Sequence, residues 1–227
     1  MAESPHVVRR VVGAAREVRS LLLTPGAAEA LADVVAGLDA PVYVAPRAVL
    51  EQVVGFDLHR GALAAVARPP LPPLDEVLRG AALVAALEGL NDHENLGVLF
   101  RNAAAFGVDA VVLDDRCADP LYRRTVRVSI GHACTVPWTR YRRLTDLRAA
   151  GFALVALTPT GEHPVDRFSW PKRSAVVLGA EGPGLSDASL AEADARVRIP
   201  MRPGVDSLNV ATAAAIAFHH ASRGFLE

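Results

Sequence analysis

From residue 82 onward the chain alternates between short apolar runs and helical patterns, and this alternation restricts the fold more than any other feature. Strand-like runs rich in Val, Leu and Ala occupy 82–87, 110–113, 152–157, 175–178 and 196–199. Apolar residues at helical spacing fill 97–106, 121–130, 144–150, 186–193 and 210–222. Strands separated by helices predict a mainly parallel sheet covered on both faces. Ligands of such sheets bind in the loops beyond the carboxyl ends of the strands, so those loops are where chemistry is expected.

The segment "VARPPLPPLDE" carries Pro69, Pro70, Pro72 and Pro73. Proline cannot donate to a helix or a sheet ladder, so 68–76 reads as a semi-rigid linker. Before it, strand-like runs at 18–23, 41–44 and 62–66 alternate with helical patterns at 5–15, 27–36 and 47–54. This predicts a small α/β domain over 1–67 and a larger one over 77–227.

Half of the 227 residues are hydrophobic, enough for a substantial core. No apolar stretch approaches the ~18 residues of a membrane span, and the opening "MAESPHVVRR" has no signal-peptide core. A cytoplasmic location is the resulting expectation. The two cysteines, Cys117 and Cys134, lack metal-ligand spacing and the seven histidines are scattered, so no metal site is expected.

The net charge of −1 conceals a segregation. Eight arginines (Arg116, Arg123, Arg124, Arg127, Arg140, Arg142, Arg143 and Arg148) face only Asp119 and Asp146 between positions 116 and 148. The segment reads as a solvated helix face or as a basic patch for a polyanion.

Three strand-end loops carry candidate chemistry. In "LEGLNDHENLGVLFRNAAAFG", Asn95 either caps the following helix or faces a ligand. Arg101, the one guanidinium on a helix of Leu, Val, Phe and Ala, suits an anion or sugar-phosphate. In "VVLGAEGPGLS", glycines allow close backbone approach to a ligand. Glu181 in their midst repels phosphate and favours a cationic or amino-bearing ligand. In "IPMRPGVDSLNVATAAAIAFHH", Ser207 and Asn209 stand where a turn meets an Ala-rich helix, and both residue types are favoured N-caps. A dehydrogenase-type dinucleotide site is disfavoured, because no GxGxxG follows the strand at 82–87.

"NLGVLFRNAAAFG", "LGAEGPGLS" and "IPMRPGVDSLNVATAAAIA" resemble, in order and spacing, the three motifs of the SpoU-type RNA 2′-O-ribose methyltransferases of the SPOUT class. The match runs through 81–220, and "RRTVRVSIGHACTVPW" resembles the family's intervening segment. Residues 1–67 resemble the L30e-like substrate-binding domain of many members, with "HRGALAAV" matching its last strand. The opening "AES" matches a position after that domain's usual first strand, so its customary first helix and strand are expected to be missing.

The resemblance implies a SPOUT-type sheet with a C-terminal trefoil knot. It also implies S-adenosylmethionine as cofactor, held by Thr158, Leu178, Gly179, Ala180, Glu181, Gly182, Ile199, Met201, Ser207, Leu208, Asn209 and Ala211. Arg101 becomes the catalytic residue, with Asn95, Glu181, Ser207 and Asn209 arranging cofactor and substrate. Arg116, Arg123, Arg124, Arg127, Arg140, Arg142 and Arg143 become candidates for tracking an RNA backbone. A homodimer is implied, and ribosomal RNA is favoured over transfer RNA by analogy with the N-terminal domain. The alternatives are a transfer-RNA methyltransferase and a catalytically silent RNA-binding member.

Overall fold

The computed structural model describes residues 1–14 and 17–222, which form two compact units. The first comprises 1–70 and 119–135, the second 71–118 and 136–227. Residues 119–135, which the sequence reading assigns to the larger domain, thus pack with the first unit.

In the first unit, β1 (Ala2–Glu3), α1 (Pro5–Gly13), β2 (Val18–Leu23), α2 (Pro25–Ala30), α3 (Ala32–Ala36), β3 (Val42–Val44), α4 (Arg47–Val54) and β4 (Ala62–Val66) build a sheet of order β1-β4-β2-β3. The strands at 18–23 and 62–66 and the helix at 47–54 form where the sequence places them. The pattern at 5–15 becomes α1, its last position lying outside the described residues. The pattern at 27–36 splits at Leu31, which is fully buried and caps neither helix with a side chain. One sheet face packs Leu21, Leu23 and Ala64 against Val7, Val8 and Val11 of α1. Leu63 packs with Leu50 and Leu58 in a separate cluster that Leu22 joins.

The segment 119–135 joins this unit through α7. Its predecessors are α5 (Leu74–Val77), β5 (Leu83–Glu88), α6 (His93–Ala105) and β6 (Ala110–Leu113) of the second unit, and α7 spans Arg123–Val128. Val126 enters the first unit's core, and Glu3, fully buried, accepts from Arg123 Nη1 at 2.9 Å with Arg127 Nη1 at 3.7 Å. A buried carboxylate is costly unless paired, so this ion cluster fastens α7 to the strand that carries Glu3.

The second unit continues with β7 (Trp138–Arg140), α8 (Leu144–Ala149), β8 (Ala153–Leu157), β9 (His163–Pro164), β10 (Ser174–Gly179), α9 (Asp187–Glu192), β11 (Ala195–Arg198) and α10 (Val210–Ser222). Its sheet has the order β7-β6-β5-β10-β8-β11-β9, and every neighbouring pair is parallel. Strands covered on both faces read as continuous apolar runs, and β5 and β6 are buried throughout. Val84, Ala86, Val112 and Val177 pack with Leu144 and Leu147 of α8. The alternating residues Ala85, Val111 and Val176 face the other side, where α6 and α10 lie against β6 and β10.

Two sequence expectations shift. The helix expected at 97–106 begins at His93, because Asp92 is its cap: Oδ1 accepts from Glu94 N at 2.9 Å and Asn95 N at 2.8 Å. Inside the Pro-rich linker, α5 starts at Leu74, and Pro72 O accepts the Thr139 hydroxyl at 2.6 Å, so the linker's end is fixed to β7.

Strand order positions the site. From β5 the chain moves outward to β6 and β7, and β10 later returns to occupy β5's other side. The β5/β10 boundary is therefore a topological switch point, where the loops leaving neighbouring strands diverge and open a crevice.

Candidate active site

The loops after β5 and β10 leave that switch point from paired residues, Glu88 opposite Gly179. The β10 loop folds back at once: Ala180 and Gly184 form an isolated bridge, with Gly184 N donating to Ala180 O at 2.9 Å. A Cβ on Gly179 would stand 2.2 Å from the Gly184 carbonyl carbon, so no side chain fits there. The β8 loop is equally close to its neighbour. Thr158 N donates to Val197 O at 2.9 Å, and a Cβ on Gly161 would stand 2.5 Å from Val197 C.

Asn209 joins three loops. Its Nδ2 donates to Asn95 Oδ1 at 2.8 Å and to Glu181 Oε1 at 2.9 Å. Its Oδ1 accepts from Ala211 N at 3.0 Å and Thr212 N at 3.2 Å, which makes Asn209 the cap of α10. One amide thereby uses its donor side to tie the β5 and β10 loops and its acceptor side to start the last helix. The cap alternative for Asn95 falls away, since Asp92 fills that role and leaves the Asn95 side chain for Asn209. Ser207 is exposed and lies two residues before the cap.

Asn102, which the sequence reading passed over, adds a second tie: its Nδ2 donates to Ala211 O at 2.8 Å. Asn95 and Asn102 are seven residues apart, two turns of one helix face, and that spacing between two amides was the available signal. Small buried residues at Ala211, Ala214 and Ala217 let α10 lie close against α6.

The other candidates lie on α6 and α10 and in or after β8, β10 and β11. Arg101 is exposed on α6, with no hydrogen bond or ion pair among the described residues. Leu178 is buried in β10, while Gly179 and Ala180 are half-buried and Glu181 and Gly182 exposed. Ile199 packs at the edge of the cluster around Val155 and Val197, Met201 is half-buried, and Leu208 is 37% exposed. The Thr158 hydroxyl lies 3.3 Å from that of Thr160. Ala211 is buried with both backbone groups engaged within the protein.

The basic segment divides between the units and is largely paired internally. Arg123 and Arg127 hold Glu3, and Arg123 also stacks over Phe56 at 3.7 Å. Arg140 donates to the carbonyls of Asp114 and Cys117, Arg143 lies 3.6 Å from Asp146, and Arg148 binds Asp194 at 2.8 Å. Arg124 also has a partner, and Arg142 is exposed. Arg116 donates to Glu88 Oε1 at 3.0 Å and to Asp114 Oδ2 at 2.9 Å. Burial opposes ionisation of Glu88, but hydrogen bonds from Ser189, Ser186 and Arg116 outweigh it and hold the carboxyl below its usual range. Burial likewise pushes the Cys117 thiol up to about 12, an inert group beneath the β5 loop. Among the described residues, no group of three or more His, Cys, Asp or Glu could hold a metal ion, and no helix is long and apolar enough to cross a membrane.

The arrangement defines an α/β protein in which three chain segments meet at one asparagine beside the sheet's switch point. The chain belongs to the SpoU rRNA Methylase family, whose model matches residues 82–219. It is 49% identical over 232 residues to an uncharacterized tRNA/rRNA methyltransferase of Mycobacterium tuberculosis, Rv0881, covering 98% of this chain and 80% of the relative. It is 33% identical over 193 residues to the 23S rRNA (guanosine-2′-O-)-methyltransferase RlmB of Acinetobacter baylyi, covering 80% of this chain and 78% of that one. Among solved structures, the AdoMet-bound rRNA methyltransferase of Sinorhizobium meliloti superposes with a TM-score of 0.85 at 26% identity, covering 100% of this chain and 87% of that chain.

Proposed function

We propose that this protein transfers a methyl group from S-adenosylmethionine to a ribose 2′-hydroxyl of RNA, with ribosomal RNA as the substrate. The observation that carries the reading is the Asn95–Asn209–Glu181 junction at the switch point, which joins all three family motifs. The likeness to RlmB supports both the ribose position and ribosomal RNA.

The residues present fit the cofactor. The exposed Glu181 carboxylate suits an amino group or sulfonium and would repel a phosphate. Ile199, Met201 and Leu208 offer partly exposed apolar surface for a purine, and the loop 178–182 offers backbone groups for a polar edge. S-adenosylmethionine supplies an electrophilic methyl carbon activated by the adjoining sulfonium.

The chain's own task is then to present the 2′-oxygen and to manage its charge. A guanidinium carries five N–H donors and no acceptor, so the chemistry of Arg101 is that of a donor. It binds the target phosphate and stabilises the alkoxide that forms as the 2′-hydroxyl proton passes to bulk water. Asn95, Asn209 and Glu181 hold one another in fixed orientation, so little rearrangement accompanies reaction. The L30e-like reading of 1–67, the trefoil knot, a homodimer and a cytoplasmic location belong to the same proposal. Calorimetric titration of the purified protein with S-adenosylmethionine is expected to give saturable one-site binding; absence of heat at millimolar cofactor would overturn the reading.

A further inference from the structure

We infer that Glu88 is a positioning residue that fastens both ends of the loop 179–186, with Arg116 and Asp114 holding its carboxylate in place. The inference rests on the reading of 178–182 as the cofactor loop.

Glu88 is the last residue of a strand that is otherwise Leu, Val and Ala, and it is 6% exposed. Its backbone pairs with Gly179, where the loop leaves β10. Its Oε1 accepts from Ser186 N at 3.3 Å, where the loop ends and α9 begins. A single residue therefore spans the loop's two ends, while the Ala180–Gly184 bridge closes its middle.

The carboxylate is itself anchored. Arg116 bonds Glu88 Oε1 and Asp114 Oδ2, and Asp114 Oδ1 accepts from the backbone N–H groups of Gly89, Arg116 and Cys117 at 3.0, 3.1 and 3.0 Å. Gly89 stands close to both the loop's start and the guanidinium: a Cβ there would meet Ala180 Cβ at 3.6 Å and Arg116 Cζ at 3.9 Å. Burying this carboxylate is costly unless it is paired, and the partners on its Oε1 are Arg116 and the Ser186 N–H at the loop's end. Holding the loop is what the carboxylate gains at that position. Arg116, whose side chain is 63% exposed, thereby holds Glu88 and Asp114 from the surface.

The test uses the full chain carrying Glu88→Gln, Glu88→Ala, Arg116→Ala or Arg116→Lys. Hydrogen exchange without cofactor is expected to speed up in the peptide containing Ser186, with the strand β6 amides unchanged. S-adenosylmethionine affinity is expected to fall about tenfold in Glu88→Gln, the scale of one charge-assisted hydrogen bond, and further in Glu88→Ala. Arg116→Lys is expected to recover most of the affinity lost in Arg116→Ala, and neither is expected to alter the salt dependence of RNA binding. The inference is overturned if Glu88→Gln and Glu88→Ala bind cofactor as wild type does, or if exchange rises uniformly through the sheet. It is also overturned if Arg116→Ala leaves cofactor affinity intact but lowers the salt slope of RNA binding by about one. Wild-type protein that binds no cofactor would instead reject the loop's assignment, and exchange at Ser186 would still report whether Glu88 fastens it.

Discussion

Replacing Arg101 with alanine is expected to lower methyl transfer by about 10²–10³-fold while cofactor affinity stays within about twofold of wild type. The asymmetry follows from its placement. Arg101 is exposed and takes no part in the hydrogen bonds of the Asn95–Asn209–Glu181 junction, so its removal leaves those bonds as they are. It also supports no packing, and the folded state is expected to change by less than ~0.5 kcal/mol. On the proposed mechanism, what is lost is the cation that binds the RNA phosphate and stabilises the forming alkoxide. Arg101→Lys keeps the charge but not the planar fork, so partial activity is expected. Single-turnover rates with saturating cofactor provide the measurement, and wild-type turnover in Arg101→Ala would remove this residue from the mechanism.

The second large effect concerns Asn209, where two roles of one side chain can be separated. Asn209→Ala loses the α10 cap, worth about 1 kcal/mol, and with it both bonds that tie the motif loops. Asn209→Asp keeps an acceptor for Ala211 N and Thr212 N, and a carboxylate at a helix N-terminus is favourable. The same substitution deletes the donor to Asn95 and sets a second negative charge against Glu181. Denaturant titrations are therefore expected to rank Asn209→Asp above Asn209→Ala in stability. Calorimetry is expected to show cofactor affinity at least about tenfold below wild type in both, the aspartate variant included. Wild-type affinity in Asn209→Asp would mean that Asn209 is a cap and nothing more.

The parallel sheet was legible because strand and helix periodicities are local. The strands at 110–113, 18–23 and 62–66 and the last helix at 210–222 stand where the pattern puts them. The cap of α10 was narrowed to Ser207 or Asn209, but choosing between them required knowing that the helix starts at Val210. Asn95 was ambiguous for a related reason. Asp92 had to be seen accepting two amide hydrogens before Asn95 could be released from the capping role.

What stayed hidden was nonlocal. The insertion of β10 between β5 and β8 depends on register across some 90 residues, and β9 pairs over only two positions. In the basic segment 116–148, charge segregation along the sequence does not show which arginines are paired within the protein. The pairing of Arg123 and Arg127 with Glu3, and of Arg116 with Glu88 and Asp114, could not be read from composition. Asn102 was passed over because a polar residue beside a prominent arginine looks solvent-facing, while its amide in fact holds the first turn of α10.

The most direct test of the central claim is incubation of the purified protein with labelled S-adenosylmethionine and total RNA, followed by mapping of the modified nucleotide. The account predicts incorporation into ribosomal RNA at a 2′-O-methylated ribose, abolished by Arg101→Ala. Label on a base, label confined to transfer RNA, or no label despite cofactor binding would each contradict it.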